Sequence, residues 1–430
     1  VERCDIAVIG AGPAGAATAI TAARHGLNVK VFEKAAQGRD KVCGDGLTPR
    51  AVTALESLGI DLADAHRIDG LRMIANRTRR ELPWPSNGRF ADHGAVWTRR
   101  RLDARLIEAA EQAGAEIRFR SEAVPDFDEN GRVIGVSASP VNGTACATGT
   151  GSQGGPDAGS GSSTYKVAAD LTVAASGAPG KVARILGTER IAFEPFGLAI
   201  RTYAASPRHA DRHLEACLTL RDQQGTPVPG YGWMFPAGDG TVNIGVGALS
   251  TMKGFASLNL NRLLESYRSL VQDEWDLGED LERPRAWRLP MSSQRRHGPG
   301  WLAVGDAAGL INPMNGEGID YGLESGILAA DMFAADPAGA AAEYDQAVGE
   351  RFDAFLRTGR RFSFLIGHPW ILRSGLRLAV GTQAIAGITL QVMGNLVDAD
   401  TPGAAGRVMR SADRALAAAD PLLRRSRAAS

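Results

Sequence analysis

Residues 5–33 leave this chain little freedom in how it begins to fold. Asp5-Ile6-Ala7-Val8-Ile9 is an apolar run of the kind buried on both faces of a parallel sheet. The turn Gly10-Ala11-Gly12-Pro13-Ala14-Gly15 follows, then an alanine-rich helix from Ala16 to His25 ended by Gly26, then a second strand, Val29–Phe32, closing on Glu33. This order predicts a βαβ unit with a dinucleotide at its first turn. Gly10 permits the tight turn, Gly12 lets backbone approach a pyrophosphate, and Gly15 lets helix and strand pack closely. Glu33 stands where a carboxylate bonds ribose hydroxyls, and its charge opposes a 2′-phosphate, so FAD or NAD is expected rather than NADP. Residue 10 opens the one such fingerprint in the chain, so a single resident dinucleotide is expected.

Residues 301–319 supply a second anchor. Trp301-Leu302-Ala303-Val304 reads as a short strand and Asp306 sits where it turns. A glycine-spaced loop leads to a helix beginning at Ile319, with Leu323 and Ile327 on one face. A strand end, a carboxylate, bare backbone and a helix N-terminus suit an anionic or electron-rich ligand. Two distant segments are thus expected to grip one cofactor, which points to a flavoprotein. In that reading Gly316, Gly318 and Ile319 let the loop reach the flavin ring, and the helix N-terminus favours its anionic reduced form. The plainer reading of Asp306 is a helix cap.

The expected fold is α/β. Helix Leu102–Gly114 and strands Ile117–Arg120, Arg132–Ser137 and Ala169–Ala175 extend the first unit. Residues 140–164, which include Cys146, are Gly/Ser/Thr-rich with almost no large apolar side chains and read as a disordered insertion. Alternation in Leu198–Arg201 and Thr241–Val246 suits an antiparallel sheet, a helix is expected over Leu258–Val271, and residues 340–430 read as helical. The predicted organisation is a Rossmann-like FAD-binding domain (1–70, 95–185, 285–340), an antiparallel-sheet substrate domain (71–94, 186–284) and a helical C-terminal region (341–430). Lys+Arg and Asp+Glu both number 48, so overall charge argues for no nucleic-acid partner. Cys4, Cys43, Cys146 and Cys217 are scattered and form no metal-type pairs, so no metal is expected. The chain enters a strand almost at once, without an apolar leader, and a cytoplasmic location is expected.

Three motifs together resemble the FAD-dependent geranylgeranyl reductase family, which shares the p-hydroxybenzoate hydroxylase fold. They are the Gly10–Gly15 turn, Cys43-Gly44-Asp45-Gly46, and Gly305-Asp306-Ala307-Ala308-Gly309 with Gly316-Glu317-Gly318-Ile319. The likeness runs from the N-terminus to about residue 340. The first and third motifs occur in many flavin hydroxylases and speak to fold; the Cys43 motif is narrower. So is Tyr231-Gly232-Trp233-Met234-Phe235-Pro236, which resembles the family's Tyr-x-Trp-x-Phe-Pro substrate-cavity motif, with Val228 where a proline is usual. The resemblance implies FAD as cofactor. It places Gly10, Gly12, Ala14, Gly15, Ala16, Glu33 and Lys34 at the first unit, and Cys43, Gly44, Asp45 and Gly46 in the second motif. Asp306, Gly316, Gly318 and Ile319 follow from the third. Arg99-Arg100-Arg101-Leu102-Asp103 is similar to the family's Arg-x-x-x-Asp helix start, which implies Arg99 with its two neighbours as competitors, and Ala123 is similar to a position at the adenine end.

The family reduces carbon–carbon double bonds of isoprenoid chains. An isolated alkene offers no enolate to a hydride, so an acid must stand near and water must be excluded. Cys43 and Asp45 are the candidate catalytic residues, against the plainer readings of a buried filler and a loop-stabilising Asx residue. Tyr231, Trp233 and Phe235 alternate and share one strand face, as an aromatic wall for an isoprenoid or as ordinary sheet core. The Lys41–Arg50 block and the C-terminal helices resemble the subgroup that saturates one isoprene unit of a menaquinone tail. The alternatives are a geranylgeranyl-diphosphate, chlorophyll or archaeal-type lipid prenyl reductase, a same-fold flavin monooxygenase, and a non-catalytic prenyl-binding escort. The hydroxylases' nicotinamide-positioning Asp-Gly motif is poorly matched, which leaves NAD(P)H or a reduced electron-carrier protein as the reductant. Arg357, Arg360 and Arg361 beside Phe362–Ile366, and the stretch Leu376–Val397 with Arg377 its one charge, suit peripheral contact with the cytoplasmic face of a membrane or a plain helical core. Gln383, Gln391 and Asn395 argue against a spanning helix.

Overall fold

Strand Glu2–Ile9 lies between Val29–Phe32 and Tyr165–Ala174, and is parallel to both. The computed structural model describes residues 1–86, 88–141, 164–177, 180–398 and 401–428, with side chains through 418. Trp301–Ala303 joins beyond Tyr165–Ala174, and Glu116–Arg118 beyond Val29–Phe32, both parallel. The register sets Ile9 opposite Phe32 and Ala174, and Ala174 opposite Ala303. The strands therefore stop in a row. Gly10, Glu33, Ala175 and the Gly305–Asp306 turn leave along one edge, the place where such sheets bind ligands. Ile6, Val8, Val31, Val173 and Leu302 are fully buried, as strands covered on both faces require.

Strands Val133–Pro140 and Ser121–Phe127 and the short His297–Gly298 complete an eight-stranded sheet. Ala123 sits inside its own strand rather than just after one that ends near Arg120. Arg120 has φ +50°, and this left-handed residue separates Glu116–Arg118 from Ser121–Phe127. Of the 140–164 segment expected to be disordered, residues 142–163, with Cys146, lie outside the described residues, while Pro140 ends a strand.

Helix Pro13–Arg24 crosses helix Ile319–Ala335 with almost no space between them. A Cβ on Gly326 would lie 2.3 Å from the Ala14 carbonyl oxygen, and one on Gly305 would lie 3.0 Å from the Ala14 methyl. The two anchors, some three hundred residues apart in sequence, are thus in contact.

The second sheet has seven strands, ordered Arg285–Pro290, Phe196–Ala205, Thr241–Leu249, Gly230–Pro236, His213–Cys217, Gly70–Ala75 and Thr78–Pro83. It departs from the expected antiparallel pattern at one place: His213–Cys217 runs parallel to Gly70–Ala75. It also reaches past residue 284, because Arg285–Pro290 pairs with Phe196–Ala205. One face packs on helix Leu260–Trp275, where Met234, Ile244 and Val246 meet Leu263, Tyr267 and Val271. Tyr231, Trp233 and Phe235 occupy the other face.

Helices Ala354–Ile366, Pro369–Ala379, Gln383–Met393 and Gly403–Ala428 follow. Among the described residues no single helix is long and apolar enough to cross a membrane, and Pro369–Ala379 bends 116° from Gln383–Met393. Arg50 ties this region to the first sheet. It is 1% exposed; its Nε and Nη2 meet the Glu324 carboxylate at 2.6 and 2.9 Å, and its Nη1 meets Asp398 at 2.7 Å.

Candidate active site

A cavity of about 1100 Å³ runs along the row of strand ends and on into the C-terminal helices. Its polar end is bounded by Gly10, Gly12, Glu33, Arg39, Arg99 and Asp306. Gly12 offers bare backbone there: a Cβ would stand 3.7 Å from the Arg39 guanidinium and 3.9 Å from that of Arg99. An exposed peptide turn between two guanidinium groups fits a pyrophosphate. Glu33 accepts from the Ala11 and Ala35 amides at 3.0 and 2.9 Å, which fixes its carboxylate at the cavity wall with lone pairs to spare. Ala14, Lys34 and Ala123 also line the cavity.

Gly15 and Ala16 do not line it; they lie behind the turn. A Cβ on Gly15 would be 1.9 Å from the Gly10 carbonyl oxygen, so its bareness serves the close approach of helix to strand. Of the three arginines, Arg99 is the one that faces the cavity. It is buried and held by Asp103 at 2.8 and 2.9 Å, whereas Arg100 and Arg101 are exposed.

At the second anchor Asp306 lines the cavity and pairs with Lys41 across it at 3.2 Å. Gly316, Gly318 and Ile319 line it as well, with Ile319 opening the helix. Lys41 stands in the quoted 41–50 block without any motif match of its own, so nothing in the sequence singled it out.

Cys43 and Gly44 line the cavity, but Asp45 and Gly46 do not. Asp45 has φ +64°, and its side chain turns inward, fully buried. Its carboxylate accepts from the Arg99 amide at 3.1 Å, from Asn243 Nδ2 at 2.9 Å and from the Tyr203 hydroxyl. Burial pushes it up to about 6 in spite of these donors. This placement suits the loop-stabilising reading of Asp45. Burial also raises the Cys43 thiol, which keeps its proton at neutral pH. Burial, with Asp320 nearby, raises the Glu317 carboxyl well above the usual range, and Thr48 donates to it at 2.8 Å.

The aromatic strand bears on both loops. The Tyr231 hydroxyl donates to the Asn315 carbonyl at 2.6 Å, the Trp233 indole donates to Asn243 at 2.9 Å, and Phe235 covers Gly44 and Gly46. All three rings line the cavity at centroid spacings of 5.9 and 6.1 Å. Trp233 is only 5% exposed and sits in a slot over Gly245, so the same ring is both wall and sheet core.

The far arm of the cavity is aliphatic. Leu372, Leu376, Ile388, Val392, Met393 and Met409 line it from three of the C-terminal helices. The sequence weighed this region as membrane-facing or core and missed it as a cavity wall. Its apolar spacing was visible, but a helical stripe fits all three roles equally.

The FAD binding domain family matches residues 3–351. Fold, glycine turn and second anchor thus define an FAD-binding flavoprotein. The menaquinone reductase of Mycolicibacterium smegmatis is 38% identical over 95% of this chain and 96% of its own. Digeranylgeranylglycerophospholipid reductase 1 of Methanopyrus kandleri is 30% identical over 76% of this chain and 80% of its own. The crystal structure of a geranylgeranyl bacteriochlorophyll reductase-like protein from Thermoplasma acidophilum superposes with a TM-score of 0.75 at 22% identity, covering 96% of this chain and 99% of that one. The chain belongs to the FAD-dependent geranylgeranyl reductase family.

Proposed function

We propose that this protein is an FAD-dependent oxidoreductase that saturates a carbon–carbon double bond of an isoprenoid chain, and that the chain is the tail of menaquinone. One observation carries the reading: a single cavity joins the bare glycine turn to an aliphatic arm, with Cys43 and the aromatic strand at the junction. The kinship with the Mycolicibacterium menaquinone reductase along nearly its whole length favours menaquinone over other prenyl lipids. The flavin, when bound and reduced, supplies a hydride to one alkene carbon.

The chain supplies the rest. Gly10, Gly12, Glu33, Arg99 and the Asp306 turn, which all line the cavity, would hold the dinucleotide. Leu372, Leu376 and their neighbours take up the tail and exclude water. Tyr231, Trp233 and Phe235 line the cavity with aromatic rings that would stabilise a cation building on the more substituted carbon. Cys43, protonated, is the one of the two expected proton donors that lines the cavity. A Cys43→Ala variant is expected to keep its flavin and lose turnover by about a hundredfold, within the usual range for a lost general acid. Unchanged rates in a stopped-flow assay would remove Cys43 from the chemistry.

The reductant is NAD(P)H or a reduced electron-carrier protein, reaching the flavin as a visitor. Contact with the cytoplasmic face of a membrane brings the enzyme to its lipid. Trp370 is 68% exposed on helix Pro369–Ala379, beside exposed Arg373 and Arg377, while Leu372, Leu376 and Leu378 of that helix line the cavity. Such a face suits an anionic lipid surface. Binding to anionic vesicles is expected to fall several-fold in a Trp370→Ala variant. Equal flotation of variant and parent would count against the contact.

Mass spectrometry of quinones from cells with and without the protein tests the function itself. A tail heavier by two hydrogens only when the protein is present supports it; identical tails refute it.

A further inference from the structure

Asn243 lies on strand Thr241–Leu249, with no exposed surface, and no motif marks it. Its Oδ1 accepts from the Trp233 indole at 2.9 Å. Its Nδ2 donates to the Cys43 carbonyl at 2.9 Å and to the Asp45 carboxylate at 2.9 Å. The amide can point only one way, since an indole N–H only donates and a carbonyl only accepts. One buried side chain thus commits its acceptor to the aromatic strand and both hydrogens to the Cys43–Gly46 loop. The loop's other ties lie at Asp45 and beyond, where Gly46 pairs with Val96 in a short antiparallel ladder. Apart from Asn243, the Asp45 carboxylate is met by Tyr203 and the Arg99 amide, and the Asp45 carbonyl accepts from Trp97 at 3.0 Å.

We propose that Asn243 is a positioning residue: it fixes the Cys43 loop against Trp233, where the two adjoin in the cavity lining. Only the kinetic consequence rests on the proposed function. The anchoring itself is a property of the folded chain. A hydride acceptor held against the aromatic strand and a proton held on Cys43 must meet the same double bond, so a loop free to shift costs the chemical step more than lipid binding.

The test is the rate at which iodoacetamide alkylates each cysteine of the purified holoprotein, read by peptide mass spectrometry. Cys4 and Cys217 are 2% and 3% exposed, so they report any general loosening. Asn243→Ala is expected to speed alkylation at Cys43 by about tenfold while Cys4 and Cys217 change less than about twofold, the signature of local rather than global opening. Asn243→Leu, of similar volume but with neither donor, serves if the alanine variant folds poorly; it too should expose Cys43. In steady-state reduction of menaquinone, kcat should fall by more than KM rises. An unchanged Cys43 rate, or equal acceleration at all three cysteines, overturns the proposal. A parent enzyme that fails to reduce menaquinone would instead refute the proposed function and leave the alkylation result to decide on Asn243.

Discussion

A Gly326→Leu variant is expected to purify nearly colourless, with FAD bound at least about tenfold more weakly than in the parent. The reason is the contact between helices Pro13–Arg24 and Ile319–Ala335. A Cβ at residue 326 meets the Ala14 carbonyl oxygen at 2.3 Å, Thr18 Oγ1 at 3.0 Å and the Ala17 methyl at 3.1 Å. None of these is the end of a long flexible side chain, so the helices must part. Overpacking of this kind costs about 1–3 kcal/mol, and the larger figure is the relevant one for a leucine against backbone. Parting the helices also moves the Gly305–Gly318 loop away from the Gly12 turn, because Gly305 lies against Ala14. With the cofactor gripped from both sides, as proposed, a shift of about 1 Å would remove several contacts at once. The flavin-to-protein absorbance ratio and an FAD titration measure the effect. A yellow variant with parental affinity would mean that the two anchors do not act on one ligand.

This contact marks a boundary of what the sequence discloses. The glycine turn and the Gly-Asp turn were legible because each depends on local chain geometry: a strand, a tight turn, a helix start, in fixed order. That they meet follows from strand register and from Gly322 and Gly326, which in a helical sequence look like two weak helix formers and nothing more. The Tyr231–Phe235 alternation was legible for the same local reason. Asn243, Tyr203 and Lys41 were not, since each acts on a group at least about 150 residues distant or across the cavity. The aliphatic arm shows a third kind of limit. Leu376 and Ile388 have the spacing of any buried helix face, and only the bend between two helices makes a tunnel wall of them. The parallel pairing of His213–Cys217 with Gly70–Ala75 belongs with these, because alternation alone does not carry strand direction.

Arg50→Met should destabilise the protein by about 3–5 kcal/mol, the cost of breaking a buried ion pair by removing one partner. Arg50 is 1% exposed and forks onto Glu324 through two nitrogens while its third reaches Asp398. Its guanidinium also lies 5.5 Å from the Phe90 and Tyr321 ring centroids and 5.6 Å from that of Phe352. Methionine fills a similar volume but leaves the carboxylates desolvated. Each keeps one outer partner, Arg351 at 2.8 Å from Glu324 and Arg89 at 2.6 Å from Asp398, which places the expected loss toward the lower figure. Asp320, beside them, is pushed up to about 6 by burial against the pull of Arg50, so losing that cation raises it further. Raised carboxyls favour the neutral form in the folded state, so the deficit should be largest at neutral pH and shrink as pH falls through about 6. Urea midpoints at pH 7.5 and 5.5 measure this. Adding Glu324→Gln to Arg50→Met removes one stranded charge and should recover part of the loss, a non-additivity that separates the ion network from simple packing. The double variant matters for function too. Helix Ile319–Ala335 opens at the flavin-side loop, and the Asn395–Asp398 segment follows the helix whose Val392 and Met393 line the aliphatic arm. Arg50 therefore sets the distance between the two ends of the cavity, and a variant as stable as the parent at pH 7.5 would show that this spacing is held by packing alone.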